Sequence, residues 1–119
     1  MPYKLTQEAS VDGTSGAGEV LLAPASLVRR FGKPYRGIET KISGEYIFTE
    51  TSTGRLFTLY DYKSTSRYGP GLPDPDDFWH ETEPQWFNIG NSEDDEDLAE
   101  KLAPDFARWL RLELAFQVQ

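Results

Sequence analysis

Tyr60, Tyr62, Lys63, Ser64, Thr65, Arg67 and Tyr68 crowd into nine consecutive positions, bringing stacking rings, cations and hydroxyls together. Such a set suits an anionic ligand that carries a base: rings stack on the base, Lys63 and Arg67 face phosphates, and hydroxyls add directional hydrogen bonds. Trp86 and Asn88, on a later strand-like run, extend the candidate ligand-binding set to Tyr60, Tyr62, Lys63, Thr65, Arg67, Trp86 and Asn88. The competing reading packs Tyr60 and Tyr62 beneath the last helix while the cations lay their stems along the surface. Trp79, Trp86 and Phe87 fit the core for the same reason. Orientation decides between the two.

Other chemistries lack their parts. Gly13, Gly16 and Gly18 have neither the Lys-Ser/Thr ending of a phosphate loop nor a dinucleotide spacing, and read as a flexible loop. His80 is the single histidine and there is no cysteine, so no metal site is expected. Ser64, Thr65 and Ser66 have no base at a telling spacing. Phosphodiester cleavage by Asp61 with Lys63 lacks a metal set and a nucleophile. The expectation is a protein with no catalytic residues and no cofactor.

Carboxylates cluster at Asp74–Asp77 and Glu93–Asp97. Helix dipoles explain acids at helix starts, and an exposed acidic face can also engage a basic protein. Asp76, Asp77, Glu93, Asp94, Asp95, Glu96 and Asp97 are the candidates for that second role. Net charge is −8, which excludes general binding to a nucleic-acid backbone. Charge is also segregated: residues 29–67 hold eight of twelve Lys and Arg, and residues 68–100 hold eleven of twenty carboxylates and no Lys or Arg.

The 119 residues fit one core, and the absence of cysteine suits a reducing cytosol. No apolar run suggests a leader or a membrane span. Residues 1–18 read as a flexible N-terminal segment, with a short strand possible in composition at Tyr3–Ser10, and residues 19–119 as a single domain. Val20–Leu22 reads as a short buried strand or an approach to the first helix. That helix begins at Pro24, buries Leu27, Val28 and Phe31, and stops at Gly32 and Pro34. Ile38–Glu50, with Ile38, Thr40 and Ile42 in alternation and a bend at Gly44, pairs through a turn at Thr51–Gly54 with Arg55–Lys63. A long Pro- and Asp-rich connection carries one helical turn at Pro75–Trp79. Gln85–Ile89 forms the next strand, stopped by Gly90. In the last helix Ser92 and Asp95 resemble a capping box, and Leu98, Leu102, Phe106, Trp109 and Leu110 share a face that Pro104 kinks or splits. The expected fold is α+β, a small antiparallel sheet with helices on one face.

The segments LVRRFGKP, ETKISGEYIF, GRLFTLYDYKS and WFNIG, within residues 18–91, resemble a loosely defined family of short, functionally unassigned proteins of tailed phages and prophages. Asn88 stands where that family has histidine, and Asn91 replaces a glycine. The resemblance implies a phage or mobile-element accessory protein acting in the host cytosol. Joined to the candidate site, it gives a non-enzymatic binder that antagonises host defence by sequestering an anionic small molecule such as a signalling nucleotide. A homo-oligomer could complete the pocket, with no membrane and no direct nucleic-acid contact. The alternative is an acidic inhibitor, a DNA mimic or immunity-type protein, covering a basic surface of a host defence protein.

Overall fold

The computed structural model describes residues 2–6, 15–36 and 41–115. Five strands, β1 (Tyr3–Leu5), β2 (Ser15–Leu22), β3 (Glu45–Glu50), β4 (Leu56–Tyr60) and β5 (Gln85–Asn91), form one antiparallel sheet in the order β1-β3-β4-β5-β2. Three helices accompany it: α1 (Pro24–Phe31), α2 (Pro75–Trp79) and α3 (Glu96–Ala115). The class is α+β.

Strand alternation separates two unlike faces. Tyr46, Phe48, Phe57, Leu59, Phe87, Ile89, Val20 and Leu22 point toward the helices and are buried. Phe106 of α3 fills the centre of this layer, with its ring 5.0 Å from Tyr3, 5.3 Å from Phe48 and 5.0 Å from Phe57. Edge-to-face and offset contacts of this kind let rings, rather than aliphatic bulk, supply most of the core. The opposite face carries Glu45, Tyr60 and Asn88 in one row, and buries Ile47 and Thr58 in the next.

Local signals explain the elements that were expected. Pro24 opens α1, and Gly32, at φ 86°, closes it in a backbone region that suits glycine. Pro75 follows the Asp74 cap of α2, whose carboxylate accepts from the Asp76 amide at 3.0 Å. The hairpin joining β3 to β4 turns through Gly54, whose amide donates to the Glu50 carbonyl at 2.8 Å.

Elsewhere the structure departs from local expectation. Tyr3–Leu5 pairs with β3, and Ser15–Gly18 belongs to an eight-residue edge strand, so the sheet takes strands from residues whose composition reads as flexible. The rest of that segment, residues 1 and 7–14, and the expected strand positions Ile38 and Thr40 lie outside the described residues. Glycines here serve close approach. A Cβ at Gly18 would stand 2.9 Å from the Ala103 Cβ of α3, and one at Gly90 would stand 2.7 Å from the Thr58 hydroxyl. Gly90 therefore does not stop β5, which continues to Asn91 opposite Ser15. Asp95 alone caps α3, its carboxylate accepting from Asp97 and Leu98 amides, whereas Ser92 accepts from the Leu56 amide and secures β4.

Pro104 does not split α3, which runs unbroken over twenty residues. Ala99 and Ala103 before it, and Phe106, Ala107, Trp109 and Leu110 after it, are buried on the same layer. Continuous burial on both sides outweighs one missing donor, and exposed Pro104 leaves the Glu100 carbonyl without the N–H an α-helix would supply. Pro104→Ala restores that donor at an exposed position. We expect the denaturation midpoint to rise, by about 1–3 kcal/mol of stability; an unchanged midpoint would show that another constraint shapes this turn.

Candidate functional site

A buried carboxylate, Asp61, organises the region where the end of β4, the approach to β3 and α2 meet. Alternation along β4 turns Asp61 inward behind Phe57 and Leu59, and it is fully buried. Its Oδ1 accepts from the Ser43 and Gly44 amides at 2.8 and 2.9 Å, and Oδ2 accepts from the Ser43 hydroxyl at 2.8 Å. The same hydroxyl oxygen accepts from Trp79 Nε1 at 2.9 Å. One acidic side chain thus joins the end of β4, the approach to β3 and the end of α2. Gly44 is required for the closeness of this packing, since a Cβ there would lie 2.6 Å from the Trp79 ring and 2.7 Å from Pro34.

Above this node lies a cavity of about 370 Å³, lined by Val28, Lys33, Pro34, Arg36, Asp76, Trp79 and His80. Its walls are held by backbone. The Tyr46 hydroxyl donates to the Gly32 carbonyl at 2.7 Å, and Tyr35 exchanges two 2.9 Å hydrogen bonds with Glu45, which fixes the residues on either side of Pro34. The Ala25 amide donates to the Glu81 carbonyl, tying α1 to the end of α2. Arg36 pairs with Asp76 at 2.8 Å across the mouth, and Nδ1 of His80 meets the Asp76 carbonyl at 2.6 Å. That contact requires a proton on Nδ1, leaving Nε2 as the free ring nitrogen. Lys33, Arg36 and His80 therefore converge on an apolar floor of Trp79, Pro34 and Val28. Local sequence did not reveal this set, because forty-seven positions separate Lys33 from His80; the segregated positive charge of residues 29–67 was its only trace.

The ligand residues expected from sequence lie on β4, on the loop that follows it and on β5. Tyr60 lies on the face opposite the helices, half-buried, with its hydroxyl bonded to Asn88 and reaching 3.8 Å from where a Gly16 Cβ would sit. Burial chiefly pushes its phenol up, the Asn88 hydrogen bond opposes this, and the nearby Glu45 and Tyr62 add to the rise. Thr65 is buried and Arg67 is partly buried and engaged, so neither presents a free group to a ligand. Trp86 is no core residue: it is 61% exposed on β5, directly opposite exposed Leu21. Tyr60 meets Asn88, and Tyr62, Lys63 and Tyr68 gather beside them, the Lys63 ammonium standing 5.1 Å from each of the Tyr62 and Tyr68 rings. Lys63 adopts φ 58°, which turns the chain out of β4 at that point.

The acidic candidates divide similarly. Glu93 pairs with Arg55 at 3.2 Å, Asp95 caps α3 and Asp76 holds Arg36, whereas Asp77, Asp94, Glu96 and Asp97 are exposed. Among the described residues, no group of three His, Asp or Glu could hold a metal ion, and no helix is long and apolar enough to cross a membrane. Fold and cavity define an α+β protein with a cationic, aromatic-floored recess. No protein-family model matches the chain, and no curated protein matches it.

Burial raises the Asp61 pKa above its ordinary 3.8, outweighing the hydrogen bonds from Ser43, Gly44 and its own backbone that favour the carboxylate. The folded state then binds this proton more tightly than the unfolded chain. Its stabilising contribution is fully present below pH 3.8 and is lost as pH rises through the raised folded value. The stability of the wild type relative to Asp61→Asn should therefore fall with rising pH across that window in urea titrations. A difference independent of pH would contradict this.

Proposed function

We propose that this protein binds an anionic small molecule without transforming it, in the cavity between the C-terminal end of α1 and α2. The supporting observation is the convergence of Lys33, Arg36 and His80 on the Trp79–Pro34 floor in a recess of about 370 Å³. That volume suits a small ligand. Lys33 offers a mobile ammonium, while Arg36 keeps part of its guanidinium fork beyond the one nitrogen committed to Asp76. His80 adds a polar ring edge to the same lining. The walls are tied by backbone hydrogen bonds, which reduces the ordering that binding would require.

Sequestration of an anionic signal, a signalling nucleotide among them, to blunt a host defence belongs to the same proposal and rests on the phage-like sequence pattern. The Tyr62–Lys63–Tyr68 cluster supports the same ligand chemistry less well, because its groups are on an exposed loop and its expected partners Thr65 and Arg67 are turned to other uses.

Thermal-shift screening against cyclic dinucleotides, ADP-ribose and simpler phosphate esters tests the reading. A bound ligand at a hundredfold excess over its Kd stabilises the fold by about 2.7 kcal/mol. Lys33→Ala and Arg36→Ala should each abolish most of that shift, and Lys63→Ala should leave it intact. Loss through Lys63→Ala alone would move the site to the tyrosine cluster, and no shift with any anion would remove the proposal.

A further inference from the structure

Among the described residues β2 ends the sheet, and its outer backbone edge faces no other strand of them. The opposite edge, β1, is only three residues long, so β2 is the extended template for strand addition. A continuous groove follows this edge. Three adjoining hollows of about 250, 280 and 240 Å³ run between residues Ser15–Glu19 and α3; all three share Glu100 as lining, and Gly16 and Gly18 each line two of them. The close Gly18–Ala103 approach sets the groove's floor, and exposed Glu96, Glu100 and Pro104 form its helical wall.

Two features select the occupant. Glu19 of the strand and Glu100 of the helix both line two of these hollows, with Arg111 at one end, so carboxylates rim the groove. The Glu100 carbonyl, deprived of its helical donor by Pro104, adds a backbone acceptor on the same wall. A second copy of this chain is disfavoured, since two-fold pairing of β2 would bring Glu19 residues together on proteins of charge −8. The bulge between Gly16 and Gly18, and Glu19 itself, are devices that discourage such edge-to-edge pairing.

We infer that β2 and α3 form a docking groove for an extended, basic segment of a partner protein. The segment adds as a sixth strand beside Ser15–Glu19, and its Lys or Arg side chains meet Glu19, Glu96 and Glu100. Main-chain hydrogen bonds supply affinity and the carboxylate rim supplies selectivity. The groove lies apart from the α1–α2 cavity, and its occupation does not depend on that cavity's ligand.

The probe is an octapeptide of alternating arginine and valine, titrated into ¹⁵N-labelled full-length protein, with binding also followed by fluorescence anisotropy. Amide shifts should concentrate at Ser15–Glu19 and along the facing turns of α3. Glu19→Lys with Glu100→Lys, both at exposed positions, should weaken binding by at least about tenfold, while Lys33→Glu leaves it unchanged. Methylating alternate peptide amides should abolish binding. Equal binding by the methylated peptide would reduce the contact to charge alone and overturn the proposal. Shifts centred on Asp94–Asp97, or concentration-dependent shifts of β2 without peptide, would overturn it in favour of another acidic surface or of self-association.

Discussion

Among the described residues no Lys or Arg pairs with the Asp61 carboxylate, and hydrogen-bond donors from Ser43 and Gly44 satisfy its oxygens instead. An unpaired carboxylate in a fold's interior is costly, and removing its donors would leave that cost uncompensated. Three donors from Ser43 and Gly44 meet it, and the Trp79 indole completes the chain through Ser43. The bend before β3, the position of α2 and the floor of the cavity are consequences of one side chain. Gly44 is the steric counterpart, since the Trp79 ring and Pro34 occupy the volume any side chain there would need.

The sheet is built so that its two faces do different work. Toward the helices, aromatic rings from β1, β3 and β4 close around Phe106, and Tyr3 draws the three-residue β1 into the core through contacts with Phe57, Phe106 and Trp109. On the other face Tyr60 leans over the glycine row of β5 and β2, held by Asn88, and covers positions that lack side chains. Glycine in these strands weakens their own propensity while permitting close contact with α3 and with the tyrosine. Among the described residues the β2 edge is unpaired beside α3, and Gly16 and Gly18 line the groove there.

Charge segregation along the chain has a structural counterpart. Cations of residues 29–36 gather around α1 and the cavity, and carboxylates after residue 90 begin α3, where several bond backbone amides or Arg55. Arg30 ties α1 to the last turn of α3 by pairing with Glu113 at 2.7 Å. An acidic protein thus keeps a cationic recess on one side and an acidic groove on another, and each suits a ligand of opposite sign.

Elements with strong local punctuation were legible from sequence alone. Pro24 and Gly32 bound α1, Asp74-Pro75 starts α2, the turn through Gly54 joins β3 to β4, and the spacing of Phe106, Trp109 and Leu110 marks the buried face of α3. In each case the determining contacts lie within a turn or two of the chain. β1 was legible only as one reading of Tyr3–Ser10, and the glycine-rich start of β2 was not legible, because their strand character comes from partners more than forty and seventy positions away. The same holds for the continuity of α3 through Pro104, for Trp86 facing outward, and for Ser92 serving β4 rather than its helix. Residue type and spacing determined that rings, cations and acids were present in quantity. Only the tertiary structure decided which of them meet: burial consumed Thr65 and Asp61 in the core, and the packing of α1 against α2 brought Lys33, Arg36 and His80 to one recess.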